Sequence, residues 1–218
     1  MVGFPGGIGT LARRAGPANP AQSQGQLDWA HVSGAEQDKG DATAAEVVAF
    51  WREAGLGKWF GGGETFDAEC RRRFEADHLA AARGERAAWN DTSEGALALQ
   101  ILLDQIPRNI YRGSGHAFAT DGLALMYARA ALNDGLDADV EEDLRVFLYM
   151  AFEHSEAMAD QHLAVEKIAV LGNASFTQYA EAHREVIARF GRFPHRNAAL
   201  GRRNTPEESA WLEAGGGF

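Results

Sequence analysis

The chain has 218 residues, 45% of them apolar and 24% charged, with a formal net charge of −10; this is the profile of one globular domain with or without a tail. The acidic balance argues against a general nucleic-acid binder, whose footprint is a basic domain, and no apolar run approaches the length of a membrane span. A single cysteine, Cys70, rules out an intramolecular disulfide and a cysteine-rich zinc site; with no signal-peptide order around Arg13 and Arg14, a cytoplasmic location is expected.

Residues 1–42 are rich in Gly, Pro, Gln and Ala and show no sustained period. They bury too little apolar surface to offset their ordering entropy, so a flexible extension is expected there, followed by a single helical domain over 43–218. Within it, Leu27–His31 is the stretch expected to dock locally, since Trp29 is costly to leave in water.

Thr43-Ala44-Ala45-Glu46 is a capping-box pattern ahead of Val47, Phe50 and Trp51, and Gly55 and Gly57 are expected to end this first helix. A second runs through Phe66, Cys70, Phe74 and His78, with Arg71–Arg73 on its solvated side. From Ser93 a third helix carries Leu97, Leu99, Ile101, Leu102, Leu103 and Ile106 on all its faces, which predicts burial. Pro107 has no N–H for the Leu103 carbonyl, so a kink or stop is expected there. A fourth helix is predicted from about Ala117 to Asn133. The acidic Asp137–Asp143 stretch suits the N-terminal dipole of a fifth, and further helical patterns cover Glu156–Leu171 and Ser175–Phe190. Thr205-Pro206-Glu207-Glu208 starts a short last one. No segment alternates with period two, so the class is all-α, about seven helices stacked as antiparallel pairs.

Three polar motifs interrupt this apolar plan. Gln100, Asp104 and Arg108 recur every fourth residue on the buried third helix, with Gln105, Asn109 and Arg112 beside them. They read equally as an ion pair locking helices or as the wall of a cavity. In Glu153-His154-Ser155-Glu156, His154 shares a helical face with Gln161, while His162 lies off it. The His pair four apart that a zinc protease needs is absent, as is the Gly-x-Ser-x-Gly elbow around Ser155, and no metal or cofactor is expected. His183 lies on an apolar stripe with Tyr179, Val186, Ile187 and Phe190, which suits a core histidine or the inner wall of a pocket.

The third motif is Phe190-Gly191-Arg192-Phe193-Pro194-His195-Arg196-Asn197, followed by Gly201-Arg202-Arg203. Between Arg184 and Arg203 the arginines are accompanied by one acid, Glu185. Arginine forks suit carboxylate or phosphate, and Gly191 and Pro194 fix the backbone that carries them. Neutralisation of the acidic helices accounts for the same asymmetry.

Together, the segments Leu102–Arg112, Phe152–Glu156 and Arg192–Asn197 resemble the bacterial domain of unknown function family 924, in matching order from about Val47 to the C-terminus. The resemblance implies a tetratricopeptide-like, right-handed helical stack and no established activity. Its motif positions fall on Asp104, Gln105, Arg108, Asn109, Arg112, His154, Ser155, Glu156, Gln161, Arg192, His195, Arg196 and Asn197. Ala151 stands where the family often has proline, which softens the break before His154.

The functional expectation is a small anionic ligand, phosphate- or carboxylate-bearing, held in an internal pocket. Asp104, Gln105, Arg108, Asn109, Arg112, Gln161, His183, Arg192, His195, Arg196 and Asn197 would line it, and His154 with Glu156 would exchange protons. Whether the chain is an enzyme stays open. The alternative is a tetratricopeptide-like scaffold that binds a protein partner, its polar motifs serving as structural networks.

Overall fold

In the computed structural model, which describes residues 40–218, Thr43 opens α1 (Ala44–Trp59) with the reciprocal bonds of a capping box. The Thr43 amide donates to Glu46 Oε2 at 2.8 Å, and the Glu46 amide donates to Thr43 Oγ1 at 3.3 Å. Just before this cap, the Gly40 carbonyl accepts from Arg86 and Ala42 packs on the core, so these two residues of the expected extension join the fold. Residues 1–39 of that extension, with Trp29, lie outside the described residues.

The break expected at Gly55 is a kink rather than an end. Gly55 adopts φ 66° and the helix resumes to Trp59, whose indole donates to the Trp51 carbonyl at 2.7 Å and ties the two halves together. On α2 (Gly63–Ala82), Phe66, Cys70, Phe74 and His78 are buried, while Arg71–Arg73 are exposed and pair with Glu69 and Glu75.

The third predicted helix is buried on every side, as its all-round apolarity requires. It forms α3 (Ser93–Gln100), capped by Thr92, then a π turn (Ile101–Gln105), then α4 (Ile106–Ile110). Pro107 therefore neither stops nor sharply ends it. A short 3₁₀ turn (Gly115–Phe118) precedes α5 (Asp121–Asn133), four residues later than the pattern suggested. Another (Leu136–Asp139) absorbs part of the acidic stretch, so α6 (Glu142–Glu153) starts with Glu142 and Asp143 in its first turn. Next come α7 (Met158–Ala169) and α8 (Ala174–Phe190), a 3₁₀ turn (Pro194–Arg196) and α9 (Pro206–Glu213), which Thr205 and Glu208 cap reciprocally.

Every regular element among the described residues is helical, so the fold is all-α. The segmentation is finer than about seven helices, because the π turn divides the third predicted one into α3 and α4. α6, α7 and α8 pack as successive neighbours, whereas α1 lies mainly on α3 and α2 mainly on α4, which puts the α3–α4 rod at the centre. Trp51, Leu99, Leu102, Leu103, Phe147 and Phe152 fill the main core. A smaller core of Val186, Ile187 and Phe193, joined by Met158, Phe190 and Trp211, anchors the last thirty or so residues. No helix among the described residues is long and apolar enough to cross a membrane.

Candidate functional site

The site begins with a backbone problem. In the π turn the Ile106 amide bonds the Ile101 carbonyl, five residues back instead of four. Pro107 has no N–H, so it cannot serve Leu103 in an α register or Leu102 in a π register. Side chains supply the missing donors. His78 Nδ1 donates to the Leu102 carbonyl at 2.8 Å, Thr120 Oγ1 to that of Leu103 at 2.5 Å, and Arg108 Nη1 to that of Asp104 at 2.6 Å. Buried carbonyls left without donors would cost about 1–3 kcal/mol each.

This arrangement buries the Asp104 carboxylate completely, among donors from three directions. His154 Nδ1 lies 2.8 and 2.9 Å from its two oxygens, Gln105 Nε2 donates to Oδ2 at 2.5 Å, and Arg108 Nη1 sits 3.0 Å from Oδ1. Burial favours the protonated acid, but the Arg108 charge, with His154 and Gln105, outweighs it and holds Asp104 well below the usual carboxylate range. Burial and then Arg108 push His154 below its ordinary value, against the opposing pull of Asp104. An ionised Asp104 only accepts, so the neutral imidazole carries its proton on Nδ1 and has its lone pair on Nε2.

Arg108 also grips Asp121, with Nη1 and Nη2 at 2.9 and 3.0 Å. Arg196 Nη1 reaches the same carboxylate at 3.1 Å and the His154 carbonyl at 3.1 Å. The Arg196 guanidinium also lies 4.8 Å from the Phe118 ring centroid and 4.4 Å from that of Phe193. Burial, then the Arg108 charge, bring it down to about 10, so it stays charged at neutral pH.

A second carboxylate–imidazole pair adjoins the first. His183 Nδ1 lies 3.0 Å from Glu153 Oε1 and 2.8 Å from the Tyr179 carbonyl; both are acceptors, so Nδ1 again holds the proton. The His154 and His183 rings are 6.0 Å apart. His195 completes the group, 5.5 Å from Phe193. Burial and the Arg196 charge bring it down to about 4, and its Nδ1 is buried without a partner among the described residues, as are Arg196 Nε and Arg202 Nε.

The structure thus brings Asp104, Gln105, Arg108, His154, His183, His195 and Arg196 together, and it places the other expected site residues elsewhere. Glu156 is not the partner of His154: its oxygens accept from Arg202 at 2.8 and 3.0 Å and from the Phe193 amide at 2.9 Å, which pins the Arg192–Asn197 turn. Burial opposes its ionisation, and Arg202 with the Phe193 amide lowers it overall. Arg192 is bidentate to Glu208 at 2.6 and 2.8 Å, and Asn197 bonds Asn204 and the same Glu208. Gln161 donates to the Glu153 and Ser155 carbonyls, both at 2.6 Å, and stitches the α6–α7 link. Asn109 bonds back to the Gln105 carbonyl, and Arg112 pairs with Asp67 toward solvent. Arg108, Arg192, Arg196 and Arg202 each already hold a carboxylate of the chain.

Two residues outside the expected set complete the site. Asp121 is the shared acceptor for two arginines, and Glu153 orients His183. Glu153 stood beside His154 in the motif; Asp121 carried no signal, since its partners lie 13 and 75 residues away. Among the described residues no group of His, Cys, Asp or Glu is arranged to hold a metal ion.

A family described as bacterial protein of unknown function matches residues 47–216. A solved structure of a protein of unknown function from Agrobacterium tumefaciens is similar, with 47% identity over 78% of this chain and 97% of that one and a TM-score of 0.76. No curated protein matches the chain. With most of the fold and every residue of the site inside the matched span, the chain belongs to the bacterial family of unknown function DUF924.

Proposed function

We propose that the chain binds a small ligand bearing a carboxylate or phosphate over the His154, His183 and His195 imidazoles, and that His154 exchanges a proton with it. The observation that carries this reading is the Asp104–His154 pair: a buried carboxylate accepts the Nδ1–H hydrogen bond, and Nε2 has no hydrogen-bond partner among the described residues. An imidazole so oriented accepts a proton at Nε2, and Asp104 stabilises the imidazolium that results. The anionic character is supported by the buried Arg196 Nε and Arg202 Nε donors, which have no hydrogen-bond partner among the described residues. The test is a titration with inorganic phosphate and with acetate, followed through the histidine ring proton signals by NMR. The expected result is a saturable shift at His154, His183 and His195 that Arg196→Met weakens. Signals unmoved by either anion up to high millimolar concentration overturn the reading.

A second reading is a tetratricopeptide-like scaffold that docks a protein partner. It is supported by a cleft of about 610 Å³ lined by Leu56, Trp59, Leu171 and Phe176, with Glu141, Glu142 and Asp143 on its rim. Leu56 is 58% exposed there. On this reading the polar clusters only lock helices, and Leu56→Glu abolishes partner capture while Arg196→Met leaves it intact.

A further inference from the structure

The segment that follows α9 turns back onto the histidine cluster. The Gly215 amide bonds the Leu212 carbonyl at 3.0 Å and the Gly216 amide that of Trp211 at 3.0 Å, closing the helix. Gly216 then passes so close to Trp211 that a Cβ would lie 2.3 Å from the indole, and Gly217 adopts φ 141°, a region that favours glycine. The path needs both glycines, and it delivers Phe218 to one place.

The Phe218 ring lies on His183, with centroids 3.7 Å apart and planes 11° from parallel. His195 and Phe193 present themselves nearly perpendicular to it, at 5.7 and 6.4 Å and both at 86°. One parallel face and two perpendicular walls define a slot that fits a single aromatic ring. Its floor is fixed independently of Phe218, because Glu153 and the Tyr179 carbonyl hold the His183 imidazole. Phe218 itself remains 52% exposed. The slot also adjoins the groups of the proposed ligand site: the His154 ring is 6.0 Å from His183, and the Arg196 guanidinium lies against Phe193.

We propose that this slot selects ligands with a planar aromatic ring, so that the ligand is an aromatic carboxylate or aryl phosphate, and that Phe218 is a tethered competitor for the ring position. The proposal rests on the reading of the histidine face as a ligand site. The acidic group is placed toward His154 and Arg196 while the ring replaces Phe218 on His183. A protein whose binding-competent state is partly self-occupied shows a weakened apparent affinity, which is recovered when the occupant is removed.

The test compares benzoate with acetate, on the protein and on Phe218→Ala, with a second variant, Phe218→Leu, that keeps apolar bulk without a ring. In both variants the His183 ring protons are expected to lose the upfield ring-current shift that a stacked phenyl imposes. Benzoate restores that shift and binds the variants about two- to tenfold more tightly than the protein itself, the range that one aromatic stack supplies. Acetate binds all three alike. If His183 signals are the same with and without Phe218, or benzoate shows no gain over acetate in the variants, the slot inference is wrong while the ligand site stands. If neither anion moves His154 in any of the three proteins, the ligand-site reading fails and takes the slot with it.

Discussion

Arg71, Arg72 and Arg73 on α2 and Arg192, Arg196 and Arg202 near the end of the fold are two sets of arginines, and the structure uses them in opposite ways. The α2 set pairs with Glu69 and Glu75, three or four residues away on the same helix, and Arg72 is 66% exposed. The later set reaches Glu208, Asp121 and Glu156, at separations of 16, 75 and 46 residues, and Arg196 keeps only 6% of its side-chain exposure. Local pairs in water decorate a helix that would form without them. Long-range pairs with little water around them hold separate elements in one geometry, and each depends on its partner.

The sharpest way to break this contrast is Asp121→Asn, which removes the negative charge, and one of the two acceptor oxygens, shared by Arg108 and Arg196. It is expected to cost about 3–5 kcal/mol, the range for breaking a buried pair, read from urea unfolding. Acid provides a second probe. His195 has its folded pKa brought down to about 4 from 6.5, so between these values the folded protein binds fewer protons than the unfolded chain. Stability is therefore full above about pH 6.5 and declines as pH falls toward about 4; the lowered His154 acts in the same direction. Urea midpoints across that window should fall less steeply in His195→Asn. Next comes Thr205→Ala, which removes the Oγ1 that caps α9 by accepting from the Glu208 amide; about 1 kcal/mol is expected. Smallest is Arg72→Ala, within about 0.5 kcal/mol of the parent and smaller still in high salt. An α2 substitution as costly as Asp121→Asn would erase the distinction.

Local signals carried most of the architecture. The capping boxes at Thr43 and Thr205 and the all-round apolarity of Leu97–Ile106 are each decided within a turn or two of chain, and each appears in the fold, while of the acidic Asp137–Asp143 stretch only Glu142 and Asp143 open α6. Pro107 was read in the same local terms, as a kink or stop. The helix runs on because His78 and Thr120, distant in sequence, meet the carbonyls that the proline leaves open. The candidate site follows the same rule. Asp104, Arg108, His154 and Arg196 stood out as charged or titratable groups set in apolar or basic runs. Their pairing did not, because whether His154 turns to Asp104 or to Glu156 is settled by how α6 lies against the π turn. The arginines advertised anion binding, and the anions they bind here are the chain's own carboxylates.

The bond from Arg196 to Asp121 also has a kinetic consequence. It closes a span of 75 residues, and such a contact gains nothing until the helices between its ends have stacked. The clamp should therefore form after the rate-limiting step of folding, so that losing it barely slows folding and instead speeds escape from the native state. In Asp121→Asn the unfolding limb of a chevron should rise while the refolding limb stays in place. The carboxylate that joins two arginines would then act as a latch, setting how long the assembled histidine face persists between openings.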